Sequence, residues 1–252
     1  MTPLLERRGR GRPDKGKEVS PGGSEIHRHK DPKKRAWTPP AAVGVFAEEV
    51  CSRFEELFPE RETFVYHEIV SDLVHIDVNV MRPGPEDDCF VIFTTGMSDL
   101  PMTLPDDLKD RDDLRYAELF MFLPRSWNPG GPGTLGSEMR HEDSWPIEAI
   151  KFLARFPHEY GTWLCGGHTI PNGEGYEPIL EGSEMSGFLL LHFGEDYEID
   201  AKDGRRVTAY MVAPVTRAET EYKLEYGTDA LVERFVERDV QLVTDMYRGS
   251  AV

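Results

Sequence analysis

Apolar residues at Val45, Phe46, Val50, Phe54, Leu57 and Phe58 recur at helical spacing ahead of Pro59, which predicts an amphipathic helix with one stripe to bury. The pattern then shifts to a period of two. Val74, Ile76, Val78 and Val80 alternate with His75, Asp77, Asn79 and Met81, as in a strand with one buried face. After the Pro83-Gly84-Pro85 turn, residues 89–95 (CFVIFTT) are almost continuously apolar and suit a central strand, and residues 118–123 (ELFMFL) predict another. Between them, residues 105–115 (PDDLKDRDDLR) are too charged for a core and form a surface excursion. A helix is expected to open at Trp145-Pro146, capped by Ser144 or Asp143, with Ile147, Ile150, Leu153, Ala154 and Phe156 as its apolar face and Pro157 as its end. Strands are predicted over 162–165, 187–193 and 206–212, the last two joined through an Asp203-Gly204 turn, with a short final strand at 240–243. Helices are predicted over 216–226 and 228–237, separated by Gly227. Helices and strands in this irregular order predict an α+β fold, a mixed α/β sandwich in which helices cover a central, mostly antiparallel sheet.

Charge divides the 252 residues in two: residues 1–40 carry a net +6 and residues 41–252 a net −23. The first span is rich in Gly, Pro and charge and lacks apolar periodicity, so it reads as a basic disordered tail preceding one domain over 41–252. Within it, Arg10, Gly11, Arg12 and Pro13 resemble the core of an AT-hook, which lays Arg-Gly-Arg in a narrow minor groove. Asp14 stands where such hooks carry a basic residue, and the motif occurs once. A solvated tail is the simpler reading. The acidic body disfavours nucleic acid and favours basic protein partners. No apolar run is long enough for a membrane span and no secretory signal opens the chain, so a cytoplasmic protein is expected.

Ligand-type residues are present but scattered. His67, His75, Asp77, His141, Glu142, Asp143, His158, Cys165 and His168 form neither HExxH nor paired CxxC spacing, and no metal or other cofactor is expected. Ser98 lies in GMSD rather than GxSxG. Cys165 and His168 could form a thiol pair, but Trp163-Leu164 beside them implies burial. The glycine-rich stretch 128–136 (NPGGPGTLG) lacks the Lys-Ser/Thr of a phosphate loop and reads as a mobile loop. The three cysteines, Cys51, Cys89 and Cys165, read as buried thiols. These absences argue against an enzyme, leaving an unrecognised hydrolase or metal site as the remote alternative.

The segment carrying most information is residues 94–102, TTGMSDLPM, a buried-looking strand running into a turn with one placed carboxylate, Asp99. With 117–127 (AELFMFLPRSW), 144–172 (SWPIEAIKFLARFPHEYGTWLCGGHTIPN), 214–235 (PVTRAETEYKLEYGTDALVERF) and 244–249 (TDMYRG), it resembles the suppressor-of-fused-like domain family, in its bacterial branch. That resemblance implies a mixed α/β domain which, in animal members, binds a transcription-factor peptide by strand addition around the SDL turn and a neighbouring domain. The second, C-terminal domain of those proteins is expected to be lacking here. It also implies a protein-binding module, with Met97, Ser98, Asp99 and Leu100 as candidate partner contacts. Bacterial relatives grouped with toxin immunity proteins suggest a basic toxin as partner. The alternative is a DNA-associated regulator whose tail contacts DNA while the acidic domain recruits a protein. For Asp99 itself, capping a local turn stands beside facing a partner.

Overall fold

The computed structural model describes residues 18–30, 32, 35–85, 87–130 and 139–252. Arg10 to Pro13 of the hook-like motif, and most of the glycine-rich stretch, fall outside these residues. Eight strands form one sheet: β1 (Thr63–Tyr66), β2 (Asp77–Met81), β3 (Cys89–Thr95), β4 (Tyr116–Pro124), β5 (Thr169–Pro171), β6 (Met185–Leu191), β7 (Glu198–Asp200) and β8 (Arg206–Thr216). Their order is β1-β2-β3-β4-β8-β6-β5, with β7 pairing β8 beside that path. Every pairing is antiparallel except β4–β8, which runs parallel with Leu119 opposite Tyr210. The α+β architecture expected from the pattern is the one found.

Helices cover both faces, and this explains why β3 is buried at all seven positions. Helix α2 (His141–Tyr160) packs Trp145, Ile150 and Leu153 onto the face carrying Val78, Ile92, Leu119 and Val212. On the other face, α1 (Ala47–Leu57) lays Val50 and Phe54 on Val91, Phe93, Phe120 and Met211, with Phe54 stacked on Phe93 at 4.1 Å. Asn79 and Met81, expected on a solvent face, are therefore 3% and 1% exposed. A second apolar layer above β2 was invisible in β2 itself. Asn79 meets its polar needs by donating to Thr95 Oγ1 at 3.3 Å.

Helix α2 starts four residues before the expected Trp145 and runs three past Pro157. Proline removes one donor, but residues 158–160 still reach the preceding turn, and the helix ends where Gly161 adopts φ 60°. Residues 162–165 and 240–243 are not strands. The first runs alongside the 102–103 segment, Thr103 donating to Thr162 O at 3.0 Å, and the second makes a single parallel bridge, Val243 to Phe122. The short β1, β5 and β7 were not anticipated.

Helices α3 (Arg217–Tyr226) and α4 (Thr228–Glu237) follow β8 directly, separated by Gly227. Thr216 and Glu219 form a capping box at the start of α3. Glu219 is fully buried and also holds the C-terminal segment: Arg248 Nη1 lies 2.5 Å from its Oε1, and Ala251 N donates to the same oxygen at 2.9 Å. Arg248→Ala leaves that carboxylate short of its charge partner and is expected to cost about 3–5 kcal/mol of stability, read as a lowered urea midpoint with unchanged slope.

Candidate partner-binding face

Beyond Thr95 the chain turns on Gly96, whose φ of 103° favours glycine. A Cβ at this position would stand 1.8 Å from His75 O, so no side chain fits. The turn is gathered around one buried carboxylate. Glu118, fully inaccessible on β4, accepts at Oε1 from Gly96 N (3.0 Å), Ser98 N (3.0 Å) and Ser98 Oγ (2.6 Å), and at Oε2 from Thr94 Oγ1 (2.6 Å). Thr94 Oγ1 in turn accepts from Leu119 N at 2.9 Å. Burial pushes the Glu118 carboxyl above its ordinary range, and the Ser98 and Thr94 donors oppose that shift. The sequence placed Glu118 in a strand but gave it no role. A lone glutamate amid YAELFMFL was the signal, because a buried carboxylate requires donors nearby.

The four residues singled out in the turn all have inward partners or sit near them. Met97 is 0% exposed and belongs to the core under α2, while its carbonyl accepts from His158 Nε2 at 2.9 Å. Ser98 is spent on Glu118. Asp99, 7% exposed, accepts from Gly44 N and Val45 N at 2.7 Å each. It therefore holds the segment leading into α1 rather than its own turn. Burial raises its pKa while those two amides oppose the rise. Leu100 alone of the four is not buried, resting against the core from the surface side.

What the turn presents is the backbone it anchors. Val43 (61%) and Val45 (41%) flank the two amides bound by Asp99, and further exposed apolar side chains stand at Trp37 (61%), Ile69 (82%) and Val70 (75%). Polar contacts join the segment bearing Trp37 to the one that follows Val70. Trp37 Nε1 donates to Ser71 O at 2.9 Å, Thr38 N to Asp72 Oδ1 at 2.9 Å, and Leu73 N to Thr38 O at 2.8 Å. His75 links the two halves: its Nδ1 meets Ser71 Oγ at 2.6 Å, its Nε2 lies 3.0 Å from Asp77 Oδ1, and its carbonyl faces Gly96. Asp77 also pairs with His67 Nδ1 at 2.8 Å, so the His75–Asp77 pair serves the loop. Glu68, beside the exposed valine and isoleucine, is ion-paired to Arg155 and accepts from Ile76 N at 3.2 Å. Although burial would raise its pKa, Arg155, Ser71, the Ile76 amide and Lys151 together hold it below the ordinary value.

The remaining candidates do not assemble a reactive centre. Cys165 Sγ and His168 Nε2 are 3.2 Å apart, but burial pushes the thiol up to about 11 and the imidazole down to about 4. Both are neutral at pH 7, the opposite of an activated thiolate. Arg140 is paired with Glu142 and Asp143 in the first turn of α2, near His141. Among the described residues, no group of three His, Cys, Asp or Glu side chains is placed to hold a metal ion.

The family model described as Suppressor of fused protein (SUFU) matches residues 72–249. The chain belongs to the suppressor of fused family. Solved structures agree on the fold. A protein of Neisseria gonorrhoeae FA 1090, described as a SUFU homologue, superposes with a TM-score of 0.59 at 17% identity, covering 82% of this chain and 97% of its own. Drosophila Suppressor of Fused gives 0.59 at 15% identity, over 86% of this chain and 52% of that one. A chain of the Sufu–Fu complex gives 0.56 at 17% identity, over 85% and 93%. A search of curated protein sequences gives no significant match. The suppressor of fused match begins at Asp72, so Asp99 and His75 lie inside it whereas Trp37, Val43, Ile69 and Val70 lie outside. The family-matched turn thus holds backbone that lies before the matched span.

The Glu118 network carries a pH signature. A carboxyl with a raised folded-state pKa contributes stability fully present below its unfolded value, and loses it as pH rises through the folded value. The stability of the protein relative to its Glu118→Gln variant is therefore expected to fall as pH rises from 4.5. Urea unfolding of both proteins as pH rises from that value, with a flat difference as the contrary result, checks it.

Proposed function

We propose that this suppressor of fused domain is a non-enzymatic protein-binding module whose partner seats on the apolar face formed by Trp37, Val43, Val45, Ile69 and Val70, with Leu100 beside the supporting turn. One observation carries the reading: five large apolar side chains are 41–82% exposed, with Asp72 and Asp99 holding amides beside Trp37, Val43 and Val45, and with Ile69 and Val70 preceding Ser71, whose hydroxyl meets His75. Exposed apolar surface costs solubility, and clustered on anchored backbone it has the composition of an interface centre. In this reading Met97, Ser98 and Asp99 serve recognition by positioning, since their own side chains are spent inside. The neutral Cys165–His168 pair supports a module without catalysis.

The partner in this proposal is a basic protein, and the biological role is immunity against a basic toxin. The net −23 of residues 41–252 supports it, because such a field speeds encounter with a positively charged surface and weakens with added salt. A Sufu–Fu complex among the similar structures accords with protein binding as the shared activity.

Ile69→Asp/Val70→Asp is expected to abolish partner capture from the native cell while leaving the unfolding free energy from urea titration within about 0.5 kcal/mol, the usual span for surface changes. Capture that persists, or partners without basic character whose retention ignores ionic strength, would overturn the face or the charge assignment respectively. Protection of cells co-expressing a neighbouring toxin gene tests the immunity role.

A further inference from the structure

The charged excursion over residues 105–115 roofs a polar cavity of about 180 Å³ on the sheet. Arg206, Thr208 and Tyr210 alternate along β8 and share the face that carries Val212, and Glu198 of β7 stands opposite Thr208. These four form the floor. His192, just past the end of β6, makes one wall, its ring edge-on to Tyr210 at 5.8 Å and its Nε2 3.4 Å from Glu198 Oε1. Arg111, Asp113 and Leu114 close the cavity from the excursion, which is tied back where Met102 N donates to Arg115 O at 2.7 Å.

The polar groups lining it are only partly matched to one another. Thr208 and Tyr210 are 4% and 3% exposed, and among the described residues the Tyr210 phenol has the Thr208 hydroxyl as its only hydrogen-bond partner. Burial pushes that phenol above its ordinary range, so it stays protonated and able to donate. Arg111 directs Nε and Nη2 to Asp113, at 2.8 and 2.5 Å. Arg206 directs Nε to Asp200 at 3.0 Å and Nη1 to Glu198 Oε2 at 2.8 Å. Among the described residues Arg111 Nη1 and Arg206 Nη2 are left without an acceptor, and Glu198 Oε1 meets only His192. Buried hydroxyls with unfilled capacity are unfavourable unless something enters to meet them.

We infer that this cavity binds a small zwitterion of the α-amino acid class. The carboxylate of the ligand accepts from the open guanidinium edges of Arg111 and Arg206 and from the Tyr210 and Thr208 hydroxyls, while its ammonium donates to Glu198. Charge favours a zwitterion over a simple anion. Arg111 and Arg206 are balanced in the lining by Asp113 and Glu198, and the net −23 of residues 41–252 repels a free anion but not a molecule without net charge. A simple cation would leave the spare N–H and O–H donors unmet. Size sets the other limit: the cavity holds the share of about six waters, which admits a short side chain against Leu114, the aliphatic residue of the lining. None of these residues belongs to the rim proposed for the protein partner, so the two sites stand or fall separately.

Calorimetric titration of the full chain with glycine, alanine and serine, beside acetate and methylammonium, tests this. Saturable binding with a Kd of about 1 mM or tighter is expected for at least one of the amino acids. Acetate and methylammonium, each carrying one of the two charges, are expected to bind about tenfold more weakly or worse. Tyr210→Phe removes only the phenol oxygen, and Arg111→Gln changes a partly exposed side chain of the excursion. Each is expected to weaken binding about tenfold or more, the effect of losing a hydrogen bond to a charged group. No saturable binding of any of the three amino acids at about 10 mM, acetate or methylammonium bound as tightly as the amino acids, or unchanged affinity in Arg111→Gln would each overturn the assignment.

Discussion

A carboxylate shut away from water must find its hydrogen bonds within the chain or lose several kcal/mol, and Glu118 imposes that demand at the point where β3 leaves the sheet. Four donors from residues 94–98 converge on it. Their convergence fixes the turn, which needs the positive φ of Gly96 and brings Asp99 against the chain entering α1. One unfavourable burial is thus offset by a set of bonds that together leave little freedom to the backbone. Surface order at Gly44 and Val45 descends from it through Asp99, and the 71–75 loop is tied in by His75 against the same glycine.

The two-sided sheet sets where such a surface can lie. With α2 on one face and α1 on the other, the strands offer their core residues to neither solvent nor partner. What remains is the rim, where β2 and β3 end and connecting segments meet. A rim is ordinarily mobile; here it is braced by the buried polar network, and its apolar side chains are left outward. Rigid backbone with exposed apolar groups lowers the ordering cost of association, which favours tight capture from a modest area.

Much of this was legible in the sequence. Unbroken apolar β3, the α1 stripe from Val50 to Phe54, and the Gly227 break between α3 and α4 were readable because each pattern reports local packing. Less legible were features set by distant chain. Met81 is buried by α1 from the opposite side, and the C-terminal end of α2 is decided by Gly161 rather than by Pro157. Short strands such as β1 and β7 draw their order from partners already in the sheet. At the site, Asp99 was legible as a placed carboxylate but not its target, fifty-four residues earlier in the chain at Val45. Trp37, Ile69 and Val70 showed no periodicity, since an exposed anchor obeys none.

The proposed partner seat is the rim braced by the Glu118–Asp99 turn. Hydrogen exchange of the protein alone and bound to its captured partner measures that directly. Slowed exchange confined to residues 36–45 and 67–74, with α3 and α4 unchanged, is the result predicted. Slowing centred on residues 217–237, with residues 36–45 and 67–74 unaffected, would contradict it.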